Sequence, residues 1–166
     1  FDEWILGAYD TSRDAFRRAT FEIFRERVVN GGATVFLARA QGEGGEEVLA
    51  GTAELSPIEF DGAIRGSADG LKLLYVTDVL TAHHFRRQGV AQALMAAIET
   101  VASSGYNVRD LLLHVHADNQ AALRFYSKLG YGSVLPVTLL KFLDCGKLAE
   151  NTGATAGRIL LWKSLV

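Results

Sequence analysis

Apolar positions recur along this chain with two periods, one suited to strands and one to helices. Thr34 to Ala40 and Glu47 to Leu55 read as strands, and the turn at Gly42 to Gly45 lets them pair as a hairpin. Leu71 to Thr81 is a longer apolar strand, and Leu111 to His116 a short one. Ser133 to Phe142 and Arg158 to Leu165 supply the last two strands, with the segment between them unassigned. Helical spacing appears over Gln88 to Ser104, where Val90, Ala91, Leu94, Met95, Ile98, Val101 and Ala102 fall on one side and Gly105 stops the run. Asn119 to Leu129 is a second such run, ended by Gly130. An earlier helix, capped by Thr11 or Ser12, carries Phe16, Phe21, Ile23 and Phe24 and fades at Asn30-Gly31-Gly32. Ser56 to Gly70, with Pro57, Gly62, Gly66 and Gly70, reads as a loop. The order is β-rich with interleaved helices, which predicts an α/β or α+β sandwich around one sheet.

Composition narrows the function classes. At 166 residues with no repeat, low-complexity tract or linker, the chain is expected to form a single domain over residues 1–166. Apolar residues make up 49%, which predicts a soluble globule, and no apolar run is long enough to span a bilayer. A net charge of −2 gives no global attraction to nucleic acid or to anionic membranes, and neither is expected as a partner. Any anionic ligand must then be held by local basic groups or backbone N–H groups. Cys145 is the only cysteine, so no internal disulfide can form and a reducing compartment is allowed. The simplest account of it is an incidental thiol. The chain opens on Phe1, which fits removal of a leading transit peptide as well as deliberate trimming.

Two stretches carry chemistry. In the first, the strand ending at Asp78-Val79-Leu80-Thr81 runs through His83-His84 into the basic turn Arg86-Arg87-Gln88-Gly89, which opens a helix at Val90-Ala91-Gln92. A helix start offers unpaired N–H groups and a positive dipole end, a ready site for phosphate. Gly89 allows close approach of the backbone, and the two arginines add charge. The plainer reading is a helix that merely begins with exposed arginines. In the second stretch, the strand Leu111 to His116 feeds the helix Asn119-Gln120-Ala121-Ala122-Leu123-Arg124-Phe125-Tyr126-Ser127-Lys128-Leu129-Gly130-Tyr131. Phe125 suits a core. Tyr126, about two turns in, has a further use if its hydroxyl faces a cleft.

Together these stretches resemble the GNAT acyltransferase family over Leu74 to Gly132. Arg86-Arg87-Gln88-Gly89-Val90-Ala91 is similar to the family's pyrophosphate loop, Arg/Gln-x-x-Gly-x-Gly/Ala. Asn119 to Tyr131 is similar to its motif Asn-x-x-Ala-x-x-Phe/Leu-Tyr-x-Lys-x-Gly-Phe/Tyr. Ala91 stands where glycine is commoner, and His83-His84 where a proline-containing turn is frequent. The resemblance implies a mixed, mostly antiparallel central sheet with a splayed strand pair, flanked by helices. It implies acetyl-CoA as cosubstrate and no metal. It also implies direct transfer of acetyl to an amine in a ternary complex. Val79, Leu80 and Thr81 would receive the pantetheine arm and thioester, with an N–H near Leu80 stabilising the oxyanion. The N–H groups from Arg87 through Gln92, with Arg86 beside them, would hold the pyrophosphate. Asn119, Gln120 and Ala121 would line the arm, and Tyr126 would be the acid near sulfur.

His114 admits two readings. Some protein N-terminal acetyltransferases of the family have a similar Leu-His-Val strand whose histidine helps take the amine proton, a task an ordinary imidazole pKa suits. A histidine satisfied against the core is the alternative. Tyr75 resembles a tyrosine of the same enzymes, or is a buried strand aromatic. Glu54 and Asp78 could order water or be ordinary strand-face polar residues. His114 and His116 share a strand face, but no third metal ligand stands out, and none is expected. The loop and the histidine strand look most like the plastid branch. That implies protein or peptide acceptors with free α-amines, lysine ε-amines as well, and a chloroplast stroma setting. A small-molecule amine acetyltransferase is the second reading, and a catalytically silent acetyl-CoA-binding module the third. Nothing in the chain speaks to its oligomeric state.

Overall fold

The computed structural model of the protein describes residues 32–42, 44–57, 73–135 and 157–165, with Arg25, Val28, Val29, Cys145, Leu148 and Ala149. Among these, five strands form one sheet in the order β1 (Thr34–Gln41), β2 (Glu47–Pro57), β3 (Leu74–Thr81), β4 (Asp110–His116) and β5 (Arg158–Ser164). Helix α1 (Val90–Ser104) joins β3 to β4, and α2 (Gln120–Lys128) follows β4. All neighbouring strands are antiparallel except β3 and β4. This is the mixed, mostly antiparallel sheet flanked by helices that the resemblance implies.

Strand alternation sorts the side chains onto two faces. On one face Ala53, Leu55, Leu74, Val76, Leu111, Leu113, Val115 and Leu161 form a core with Leu94, Met95, Ile98 and Ala102 of α1. Met95 and Ile98 are fully buried, which stabilises the fold by about 1.5–3 kcal/mol each. Tyr126 and Tyr131 close the same core. On the opposite face Tyr75 and Leu112 pack with Leu73 and Leu148, and Leu160, Trp162 and Cys145 flank them. Cys145 is thus a half-buried thiol at the margin of this smaller core.

The parallel seam between β3 and β4 is short. Its register holds only at Leu74↔Leu111 and Tyr75↔Leu112, and the two strands diverge beyond it. On its other side β3 pairs with β2 along its length, through a bulge at which Asp78 and Val79 oppose Ala53 alone. Asp78 takes a left-handed φ of 51° there. The extra residue shifts the alternation, so that Val79 packs against the α1 core and Asp78 is exposed.

Several expected boundaries move. Helix α1 begins at Val90, two residues after the expected Gln88, because Arg87 (φ 66°) and Gly89 (φ 83°) are left-handed and cannot lie within a helix. Described residues 133–135 carry no strand. Gly132 instead makes a single bridge to Trp162, and the rest of the strand expected over Ser133 to Phe142 lies outside the described residues. The helix expected after Thr11 also lies outside them, apart from Arg25, Val28 and Val29, which are helical.

Candidate active site

The loop after β3 is built to leave N–H groups free. A short 3₁₀ turn (His83–Phe85) carries the chain out of the strand, and the side-chain amide of Gln88 donates to His84 O at 2.8 Å. The Arg86 Nε donates to Thr81 O at 3.4 Å, holding the loop against the strand end. Gly89 then caps α1 with no side-chain hydrogen bond and with no acidic residue in the first turn. The first helical N–H groups, on Val90, Ala91 and Gln92, therefore have no carbonyl one turn back and no capping oxygen. The other helix differs: the Asn119 side chain accepts from Ala122 N at 3.0 Å, and Gln120 donates to Ala117 O at 3.0 Å. Ala121 is exposed beside them. A Cβ built on Gly89 would meet nothing within 4 Å, so the space in front of the loop is open. Gly51 fixes where this helix start sits, since a Cβ there would lie 2.6 Å from Leu80 O and 2.9 Å from Val90 Cγ1. An uncapped, basic helix start facing open space fits a pyrophosphate.

The opened seam leads from this loop into the sheet. Ala82 N donates to Ala50 O at 2.8 Å, which makes Leu80–Thr52 a hydrogen-bonded pair by alternation. The Leu80 N–H thus turns toward β2, and those of Val79 and Thr81 turn toward the seam. Across it, Ala117 N donates to Gly157 O at 2.7 Å, so the backbone groups of His114 and His116 also face the gap. The Leu80 side chain is about half exposed, while Val79 and Thr81 are half-buried.

Tyr126 lies on the α1 face of this gap. Its ring is buried in T-shaped contact with Phe125 and Tyr131, at 5.1 and 5.7 Å between centroids. Its hydroxyl makes no hydrogen bond among the described residues. Burial pushes its pKa up to about 12, so the phenol keeps its proton. Tyr131 N donates to Tyr126 O at 3.0 Å as the chain turns at Gly130, and the Lys163–Glu99 ion pair of 2.7 Å stands beside Tyr131.

His114 lies on the opposite face. Its Nδ1 is 2.7 Å from the hydroxyl of Tyr75, the last β3 residue in register with β4. Which atom donates follows the imidazole tautomer. Burial, and then the positive charge of Arg158, hold the His114 pKa below the ordinary value. Position along the strands suggested both residues, but their pairing was not visible, because it depends on a register between distant segments. Glu54 escaped notice as a buried group: it is fully buried on the Tyr75 face and accepts from Ser56 Oγ at 2.7 Å. Asp78, bonded by Thr77 Oγ1 at 3.1 Å, is the bulge residue. His116 contacts Asp118 at 3.5 Å, and no three potential metal ligands converge among the described residues.

The structure thus joins a strand pair opened beside an uncapped helix start to a proton-bearing phenol on one face and an imidazole on the other. The sequence model of the Acetyltransferase (GNAT) family matches residues 2–131, and the chain belongs to that family. It is an N-acetyltransferase of the GNAT fold. No curated protein matches the sequence. Among solved structures it is similar to Arabidopsis thaliana NAA60 in complex with a bisubstrate analogue (TM-score 0.60, 21% identity, covering 87% of this chain and 83% of that one). It is also similar to a GNAT-family acetyltransferase from Staphylococcus aureus Mu50 (TM-score 0.59, 15% identity, 90% and 78% covered). A third is the spermidine/spermine N-acetyltransferase SpeG from Vibrio cholerae (TM-score 0.55, 16% identity, 89% and 73% covered). At these identities the likeness is one of fold.

Proposed function

We propose that this acetyltransferase acts on protein N-terminal α-amines, with lysine ε-amines as a second target. The observation that carries the reading is the Tyr75–His114 contact of 2.7 Å at the point where β3 and β4 part. Acetyl-CoA supplies the activated acyl group. The N–H groups of Arg87 through Gln92 and the Arg86 and Arg87 side chains hold its pyrophosphate. Val79, Leu80 and Thr81 line its arm from β3, and Asn119, Gln120 and Ala121 from the start of α2. The N–H near Leu80 that serves as oxyanion donor is that of Val79, a reading supported by its turn toward the seam.

With its Nδ1–H donated to the Tyr75 oxygen, His114 leaves Nε2 free to take the amine proton, directly or through water. Its lowered pKa keeps it neutral at neutral pH. An α-amine suits so mild a base: with a pKa of about 8, roughly a tenth is already neutral at pH 7. Lysine has only a few parts in roughly ten thousand neutral there. Tyr126 protonates the departing sulfur. The plastid setting is proposed on the likeness of the Arg86–Ala91 loop and the His114 strand.

Mass spectrometry of a peptide pool incubated with enzyme and acetyl-CoA tests the acceptor. Acetylated α-amines are expected. Acetylation of small free amines alone, with every peptide untouched, overturns the reading.

A further inference from the structure

Among the described residues, the strand face around His114 carries one fixed positive charge. Arg158 begins β5 and is in register with His116, while His114 is in register with Leu160. Because Ala117–Gly157 is a hydrogen-bonded pair, His116–Arg158 is a non-hydrogen-bonded one, the kind whose side chains stand closest. His114, His116 and Arg158 therefore rise from the same face, that of Tyr75. Arg158 and His114 are diagonal neighbours about 7 Å apart, well within reach of a guanidinium stem. Arg158 is exposed and makes no ion pair among the described residues. The only other cation on strands β2 to β5 is Lys163, on the opposite face and paired with Glu99. The acids at this face are engaged elsewhere, Glu54 by Ser56, Asp78 by Thr77, Asp110 by Trp162 and Asp118 by His116. The field of Arg158 already reaches the site, since it adds to burial in lowering the basicity of His114.

We propose that Arg158 is a specificity-determining residue, selecting acceptors that carry a carboxylate within two residues of the reacting amine. On the reading of the acceptor given above, on which this rests, these are protein N-termini with Asp or Glu at the second or third position. An amine approaching His114 brings the following side chains over the β4–β5 strand pair, where Arg158 waits unpaired. A basic side chain there meets repulsion, so sequences rich in lysine are disfavoured.

The test compares three peptides identical except at the second and third residues, which are Asp-Asp, Ala-Ala or Lys-Lys. kcat/KM is measured for the wild type, Arg158→Gln and Arg158→Glu. An exposed charge pair is worth roughly two- to fivefold, so the wild type should prefer Asp-Asp over Lys-Lys by about tenfold at low salt. Arg158→Gln should flatten the ratio, and Arg158→Glu should reverse it. High salt should erase the preference in the wild type, as the screening length falls to about 3 Å at 1 M. Peptides turned over with the same ratio in wild type and Arg158→Glu overturn the role of Arg158 and leave the acceptor class standing. If no peptide is turned over, while small amines are, the acceptor class falls and this inference with it.

Discussion

Replacing Tyr126 by phenylalanine isolates one proton. The ring stays, and with it the contacts to Phe125 and Tyr131. The hydroxyl has no hydrogen-bond partner among the described residues, so its loss leaves no orphaned group and thermal stability should hold. General acid catalysis is worth about 10²–10⁴-fold. The environment of Tyr126 places this case near the bottom of that range. Burial raises the phenol to about 12, whereas the leaving thiol, if it resembles cysteine, lies at about 8.5. Transfer from phenol to a free thiolate is thus uphill by between three and four units on these values, and the proton shifts only partly while the C–S bond breaks. A loss of about 10²-fold in kcat is expected, or about 2.7 kcal/mol of barrier. Acetyl-CoA affinity should be unchanged by calorimetry, because the interaction is made mainly in the transition state. The raised pKa also means that the proton is not lost in the working range, so Tyr126 adds no alkaline limb to the rate profile below about pH 11. Single-turnover rates of CoA release make the measurement. A loss smaller than about threefold, with chemistry rate-limiting, would show that water or another group supplies the proton.

Two further outcomes are expected. Gly89→Ala forces a side chain into a left-handed residue at a cost of about 1–2 kcal/mol, visible as a lower melting temperature, but its Cβ meets no protein atom within 4 Å. A fall in acetyl-CoA affinity of more than tenfold in the folded variant would therefore report on the ligand, and unchanged affinity would remove the loop from the pyrophosphate site. The His114 pKa is lowered by burial and by Arg158, and the base works when neutral, so kcat/KM should be on its plateau at pH 7 and decline only below about pH 6.5. His114→Ala should abolish that acidic limb and cut turnover by roughly 10²-fold, and a variant that keeps the limb returns His114 to packing.

Much of the sheet could be read from the sequence because its strands alternate and its turns carry glycine. The pairing of β1 with β2 follows from the Gly42–Gly45 turn, and α1 follows from apolar spacing that stops at Gly105. The start of α2 was legible as well, and Asn119 caps it. What escaped was non-local. A bulge at Asp78 leaves no mark in an apolar run, because a left-handed Asp costs little enough to need no glycine. It nonetheless reverses which of Val79 and Leu80 faces the core. Glu54 looks like any polar strand residue until the strands on both sides bury it. Arg158 becomes a neighbour of His114 only through the β4–β5 register, and the sequence between those strands gives no hint of it.

The same alternation explains how the acid and base proposed above can serve one reaction. Leu113 and Val115 share the face of Tyr126, while His114, one residue away from each, shares the face of Tyr75. The two groups are held on opposite sides of a sheet and cannot exchange a proton directly. They can act on one carbonyl only if that carbonyl lies in the plane of the sheet, and elsewhere the ladder of backbone bonds fills that plane. Past Tyr75 and Leu112 the ladder stops. In the mechanism proposed above, the amine arrives there from the His114 face and sulfur leaves toward Tyr126. Burial holds both groups in their neutral forms, raising the phenol at the expense of its acidity and lowering the imidazole so that it stays bare. The bulge completes the arrangement. By inserting one residue into β3, it leaves the Val79 N–H turned into the gap while its side chain anchors in the core below, so packing fixes the group proposed above as oxyanion donor.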